Sequence, residues 1–317
     1  MSESIPWRPM RKSVIRSGDL IKLPENKTGL AVIGYPVKHS ISPYLHLAAL
    51  RQLSESKTIF SNWEYHKIEA RVEELKTLLP RLAELGYRGI NLTIPHKVEV
   101  LSLLDEIDPE AESMGAVNTL SWQDNKWIGS NTDGYGFQRA VEASFGRPLK
   151  ENCILVLGAG GAARAAAMKC LFVGCEEIWL TNRSQERLGA LVSDLRKHEP
   201  DRLIRSFSPE NLPEILLNKK NLLIVNSTSL GLKTGDPSPL VNSFSIFDPR
   251  SKVYDMIYNP PETTFLQEAK EANLEFAGGL SMLVYQALQS LHLWTGEDIC
   301  EEAMFAGANH GMSEINF

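Results

Sequence analysis

Cys153-Ile-Leu-Val-Leu-Gly158-Ala159-Gly160-Gly161-Ala162-Ala163-Arg164 decides the fold. Five apolar residues in succession describe a strand buried on both faces, and the glycines after it open an alanine-rich helix. This is the GxGxxG/A pattern in the strand–turn–helix setting that gives it meaning. Gly158 permits the tight turn and Gly160 lets the backbone approach a pyrophosphate. Ala163 is small enough for close packing, and the free N–H groups of the helix start face the phosphates. A glycine triplet by itself carries little, so the surroundings must support it.

They do so on both sides. Downstream, residues 178–180, 222–225 and 253–256 are further continuous apolar runs, the mark of parallel strands. Helices are expected to start at Gly161, Ser184 and Pro209, followed by a helix over 263–272, a short strand near Phe276 and helices over 281–294 and 297–308. Upstream, strands are expected over 30–35, 63–68 and 89–94, with a hairpin over 117–128 turning at Asp124-Asn125. Val72, Leu75, Leu79, Leu82 and Leu85 form a helical stripe that Pro80 is expected to kink or split. A helix is also expected from about Pro43. The alternation makes the chain α/β, and no internal repeat or low-complexity tract interrupts it.

Composition narrows the function. With 317 residues, 43% of them hydrophobic, the chain is long enough for two domains with cores of their own. Lys and Arg number 33 against 39 Asp and Glu, a net charge of −6, which supplies no electrostatic footprint for nucleic acid. No window offers the roughly 18 uninterrupted apolar residues of a membrane span, because Arg164 and Lys169 interrupt the most apolar stretch. Cys153, Cys170, Cys175 and Cys300 have neither disulfide-framework nor CxxC spacing and read as reduced and mostly buried. The seven histidines show no metal-ligand spacing, so no metal is expected. Residues 1–28 are mildly basic and lack the apolar core of a signal peptide. They read as a transit peptide, or as an arm or strap over the first domain.

At the end of the second dinucleotide-domain strand, where NAD sites place a carboxylate, the chain reads Thr181-Asn182-Arg183-Ser184, with Arg187 one turn further. Two guanidinium groups replace the acid and suit the 2′-phosphate of NADP; the alternative is that both are solvated arginines of a helix start.

The chemistry concentrates in Gly89-Ile-Asn91-Leu-Thr93-Ile-Pro95-His96-Lys97. Strand alternation sets Ile90, Leu92 and Ile94 on one face and Asn91 and Thr93 on the other. Pro95 stops the strand and leaves Lys97 at a strand-to-helix junction. Gly115-Ala-Val-Asn118-Thr119 and Asn131-Thr132-Asp133-Gly134 flank the hairpin, which can return both to one end of a sheet. His39-Ser40-Ile41-Ser42-Pro43 offers two hydroxyls that either hold a carboxylate or cap a helix. Gln286 sits inside the apolar stripe of Met282, Leu283, Leu288 and Leu291 and needs a partner, either a substrate hydroxyl or a backbone group.

In this order, the motifs resemble the shikimate/quinate dehydrogenase family. To those already quoted are added Val32-Ile-Gly34-Tyr-Pro36, Asn226-Ser227-Thr-Ser229, Asp255-Met-Ile-Tyr258-Asn259-Pro260 and Met282-Leu-Val-Tyr-Gln286; the likeness runs from residue 29 to about 296. The resemblance implies a substrate domain over 29–132 completed by C-terminal helices over 279–317, an inserted Rossmann-type NADP-binding domain over 133–278, and residues 1–28 as an extension. It implies NADP-linked interconversion of 3-dehydroshikimate and shikimate by a cytoplasmic monomer or homodimer that acts on a small molecule. It implies Lys97 and Asp133 as the catalytic pair, Ser40, Ser42 and Tyr258 around the ring carboxylate, and Thr93, Asn118 and Gln286 on the ring hydroxyls. It also implies cofactor contacts from Gly158, Ala159, Gly160, Gly161, Ala162, Asn182, Arg183, Ser184, Arg187, Ser227 and Met282. The chemistry agrees: hydride arriving at a ketone creates an alkoxide, which needs a cation and proton donor within hydrogen-bond reach. Gly278-Gly279-Leu280 departs from the family, many of whose members have an acidic residue before Gly-Leu. A quinate or dual-specificity dehydrogenase would keep the same pair, and a non-catalytic sensor of shikimate or dinucleotide would have lost part of it.

Overall fold

Residues 14–93 and 95–315 are described by the structure, a computed structural model. The chain divides into two compact units, one formed by the chain up to Asn131 together with the chain from Ser290 onward, the other by Thr132–Gln289.

The first unit contains β1 (Ile15–Arg16), β2 (Thr28–Gly34), α1 (Ser42–Ser56), β3 (Trp63–Glu69), α2 (Leu75–Glu84), β4 (Tyr87–Leu92), α3 (His96–Glu99), β5 (Glu106–Ile107), α4 (Pro109–Met114), β6 (Thr119–Gln123) and β7 (Lys126–Ser130). The sheet order is β1-β3-β2-β4-β6-β7-β5. β1 to β4 run parallel, and the β6–β7 hairpin reverses direction beside β4. Asp124 and Asn125 both have positive φ (49° and 61°), as a two-residue hairpin turn requires. Leu75, Leu78, Leu79 and Leu82 of α2 pack against Ile33, Ile68 and Ile90 on one face of the sheet. Of the expected extension, residues 14–28 add β1 to the edge and bury Leu20 in that core, while residues 1–13 lie outside the described residues.

The second unit contains α5 (Asp133–Phe145), β8 (Cys153–Leu157), α6 (Gly161–Phe172), β9 (Glu177–Thr181), α7 (Gln185–His198), β10 (Leu203–Phe207), α8 (Glu214–Leu217), β11 (Leu222–Asn226), β12 (Lys252–Asp255), α9 (Thr264–Glu271) and β13 (Glu275–Ala277). All six strands are parallel in the order β10-β9-β8-β11-β12-β13, the doubly wound dinucleotide-fold arrangement. β8, β9 and β11 are buried along their whole length, which explains their unbroken apolar runs. Two helices close the chain, α10 (Leu280–Thr295) and α11 (Glu301–Ile315). α10 spans the division at Gln289; within the second unit its Tyr285 ring lies 5.4 Å from the Arg139 guanidinium of α5. Residues 279–289 of the expected C-terminal segment therefore group with the dinucleotide unit.

In the first unit α11 packs on α1 so closely that a Cβ at Gly307 would lie 2.4 Å from the Tyr44 carbonyl oxygen.

Several expectations need correction. α2 runs through Pro80, and its break falls earlier, where the 3-10 turn Val72–Glu74 becomes α-helix at Leu75. The helix expected at Pro209 starts after Pro213, because either proline suits a helix start and sequence does not choose between them. The last helix begins at Glu301 and runs to Ile315, later and longer than 297–308. Ile94, expected to alternate with Leu92, lies outside the described residues.

Candidate functional site

In each sheet, successive strands leave one neighbour to the left and the next to the right, and the crevice beyond the carboxyl ends of those strands is where α/β proteins bind ligands. In the first unit the reversal lies between β2 and β4, in the second between β8 and β11.

At the first reversal, Ser40 and Ser42 follow β2 while Thr93 and Lys97 follow β4. Antiparallel pairing of Asn91 with Thr119 brings Asn118, at the start of β6, beside the end of β4. Ser40 donates to Ser42 Oγ at 3.1 Å and accepts the Ser42 N–H at 3.3 Å. The N-cap of α1 is Ile41 and has no side-chain cap, so the serine pair is not spent on the usual N-cap bond. His96 is fully buried, its Nε2 2.8 Å from the Ala70 carbonyl oxygen, and Val117 N–H donates to the Lys97 carbonyl at 2.8 Å. These bonds hold the backbone on both sides of a half-buried Lys97. His96 thus serves as a structural anchor.

Under this site His46 of α1 stacks on Tyr65 at 4.4 Å between ring centroids. Burial holds its pKa down at about 3, opposed by the nearby Asn91 amide, and among the described residues neither ring nitrogen has a hydrogen-bond partner of ordinary geometry.

At the second reversal the chemistry is that of backbone. Gly158 has φ +121°, and a Cβ there would stand 2.7 Å from Ser227 Oγ. Ser227 in turn donates through its hydroxyl (2.7 Å) and its N–H (3.0 Å) to the Leu157 carbonyl, tying the ends of β8 and β11 together. A Cβ at Gly160 or Gly161 would meet no atom of the described residues within 4 Å. This leaves a bare cradle at the start of a twelve-residue helix, fit for a pyrophosphate. Ala159 and Ala162 lie in the same turn. Ser184 caps α7 by accepting the Arg187 N–H at 3.3 Å, and Asn182 Nδ2 donates to the Ser184 carbonyl at 3.0 Å. Arg183 and Arg187 are exposed, and among the described residues neither guanidinium makes a hydrogen bond or ion pair. With no acid at the end of β9, this donor set fits a 2′-phosphate.

Asp133 is the first residue of α5. Tyr258 is half-buried, and burial raises its pKa. It follows a bracket that sequence reasoning does not resolve: buried Asp255 accepts from Asn226 Nδ2 (2.9 Å), Thr263 Oγ1 (2.6 Å) and Ile257 N–H (3.0 Å), fixing the loops after β11 and β12. Burial raises the Asp255 pKa, and those three donors oppose the rise. Gln286 Nε2 donates to the Leu283 carbonyl at 2.8 Å, the backbone partner considered from sequence. Met282 lies one turn before it on α10. Among the described residues, no cluster of His, Cys, Asp and Glu could hold a metal ion, and no helix is long and apolar enough to cross a membrane.

Residues 32–120 match the model of the shikimate dehydrogenase substrate-binding domain. The chain is 38% identical over 272 residues to shikimate dehydrogenase (NADP(+)) of Desulforamulus reducens, covering 84% of this chain and 89% of the relative. The chain belongs to the shikimate dehydrogenase family. Two solved shikimate dehydrogenases share the fold. One, in complex with NADP+, superposes with a TM-score of 0.79 at 34% identity, covering 92% of this chain and 97% of the other. The second, from Thermus thermophilus in complex with NADP(H) and shikimate, gives 0.77 at 35% identity, covering 90% and 99%.

Proposed function

We propose that this member of the family catalyses the reversible NADP-dependent reduction of 3-dehydroshikimate to shikimate, with Lys97 and Asp133 as the catalytic pair. The observation that carries the reading is the gathering of Ser40, Ser42, Thr93, Lys97 and Asn118 at the β2/β4 reversal, in a chain whose other half carries a bare phosphate cradle. Bound NADPH supplies the hydride. Lys97 holds an ammonium proton for the oxygen that becomes an alkoxide, and Asp133 orients that ammonium and the neighbouring hydroxyl. Ser40 and Ser42 receive the ring carboxylate with Tyr258, while Thr93, Asn118 and Gln286 align the ring hydroxyls. Arg183 and Arg187 read the 2′-phosphate through charged hydrogen bonds.

Quinate differs at the ring carbon that bears the carboxylate, which is tetrahedral and carries an extra hydroxyl. To fit beside two serines it must tilt, and about 1 Å of misplacement at the reacting carbon can cost about 10²-fold in rate. An assay crossing NADP and NAD with shikimate and quinate tests the reading. The expected result is kcat/KM at least about tenfold higher for shikimate, which corresponds to about 1.4 kcal/mol. Equal turnover of quinate would reassign the chain as a dual-specificity enzyme.

A further inference from the structure

Beneath the first site lies a connected cluster of buried polar side chains, here called the island. The Tyr65 hydroxyl donates to Asn91 Oδ1 at 2.7 Å, and Asn91 Nδ2 faces Ser290 Oγ (3.0 Å), Thr119 Oγ1 (3.2 Å) and the Asn118 carbonyl oxygen (3.4 Å). Thr119 and Ser290 hydroxyls are 2.8 Å apart, and Thr119 Oγ1 donates to Asn118 Oδ1 at 2.9 Å. None of these five residues is more than 6% exposed.

Donor and acceptor capacities give the island a direction. A carbonyl oxygen can only accept, so the side of the Asn91 amide facing Asn118 must be its nitrogen, and its oxygen must face Tyr65. Tyr65 is then obliged to donate. The Thr119 hydroxyl fixes the oxygen of the Asn118 amide, which sets the plane and the sense of that amide. An island of this kind costs desolvation that an apolar core would avoid, and it leaves little tolerance for a missing member. One member, Ser290, reaches the island from α10, 199 positions after Asn91.

We propose that Tyr65 and Ser290 are positioning residues for the reaction: they lock Asn91 and Thr119 so that the Asn118 amide is presented in one orientation to a ring hydroxyl. This rests on the reading of Asn118 as a ring-hydroxyl ligand. His46, stacked on Tyr65, stiffens the phenol ring from the other side.

The test uses the full chain and measures kcat, the KM for shikimate and the KM for NADP in Tyr65→Phe, Ser290→Ala, Ser290→Thr, Asn118→Ala and the Ser290→Ala/Asn118→Ala double variant. Tyr65→Phe and Ser290→Ala should lower kcat/KM for shikimate about five- to fiftyfold, with the NADP KM within about twofold of the parent. Ser290→Thr, which keeps the hydroxyl, should recover most of the loss. Adding Ser290→Ala to Asn118→Ala should cost nothing further. Normal shikimate kinetics in folded Tyr65→Phe and Ser290→Ala proteins, or losses that multiply in the double variant, would overturn the proposal. If Ser290→Ala does not fold, Tyr65→Phe combined with Asn118→Ala decides by the same additivity, because the Tyr65 hydroxyl also meets Ser42 and the single variant would not separate the two contacts. Unchanged shikimate kinetics in Asn118→Ala would sink the site reading itself and this inference with it, an outcome distinct from failure of the positioning role alone.

Discussion

The two sheets reverse strand order in the same way and fill the resulting crevice with opposite materials. At β2/β4 the groups proposed for the substrate are side chains, Ser40, Ser42, Thr93, Lys97 and Asn118, the last held by the buried Thr119 hydroxyl. At β8/β11 the groups proposed for the cofactor are N–H groups, beside an absence of side chains at Gly158, Gly160 and Gly161. A diphosphate is the same in every dinucleotide and can be met by backbone, whereas a ring with several stereochemically distinct hydroxyls needs individually aimed groups. The first crevice should therefore be fragile to changes of chemistry and the second to changes of shape.

Lys97→Ala strikes hardest at the first crevice. Loss of a positioned general acid should reduce kcat by about 10² to 10⁴, with the shikimate KM changing much less. Steady-state kinetics on the folded variant measure it, and near-normal turnover would remove Lys97 from its role. Asp133→Asn should lower kcat in the same direction, since an amide cannot share a proton with the lysine.

Next in size is Arg183→Gln or Arg187→Gln at the second crevice, expected to weaken NADP by about 1.5–3 kcal/mol per lost charged hydrogen bond while NAD is little affected. Titration with both cofactors checks this. Equal losses would mean that the arginines do not read the phosphate.

Acid should distinguish the crevices at about the 2 kcal/mol level. His46 titrates at about 3 in the fold against 6.5 when unfolded, so between those values the unfolded chain holds more protons and stability falls as pH drops below 6.5. At pH 5 the cost is about 2 kcal/mol, at about 1.36 kcal/mol per unit. His46→Phe keeps the stacked ring and removes the titration, so its loss of stability between pH 7 and pH 5 in urea melts should be smaller by about that amount. An identical pH dependence in both proteins would contradict a neutral buried His46.

The mildest change is Gly158→Ala. Its positive φ and the contact with Ser227 should cost about 1–2 kcal/mol, seen as a raised NADP KM and a lower Tm with the shikimate KM held. A change confined to shikimate would reverse the comparison.

What sequence discloses follows the same division. The dinucleotide half is legible almost strand for strand, because β8, β9 and β11 are buried on both faces and so have unbroken apolar runs through their middles, polar residues appearing only at the ends of β9 and β11. β10 escapes notice because Arg205 and Ser206 are exposed at the sheet edge, which dilutes the apolar signal. The hairpin turn is readable from Asp124-Asn125, since those residue types tolerate positive φ. Lys97, Ser40 and Ser42 stand out as polar residues at strand ends. Asn91 and Thr119 are visible only as members of their motifs, and their links to Tyr65 and Ser290 are not visible at all, for a serine in an apolar helix shows no partner until the chain has folded. Gln286 is recognisable as a polar residue needing a bond, but its bond to the Leu283 carbonyl requires coordinates. At Pro80 the burial of Leu78, Leu79 and Leu82 outweighs the lost backbone hydrogen bond, and only tertiary packing can say so.

The near-contact of Gly307 with the Tyr44 backbone bears on how the chain is made. A ribosome delivers α1 before the second unit and α11 after it, so the α1–α11 packing that the first unit needs waits until the whole intervening stretch has been made. The second unit is one uninterrupted stretch, complete as soon as Gln289 has emerged. Domains fold as units once their residues are available. Birth order and folding order are therefore expected to be inverted: the earlier-made half would wait, with its α11-facing surface uncovered, for a helix that follows the uninterrupted unit.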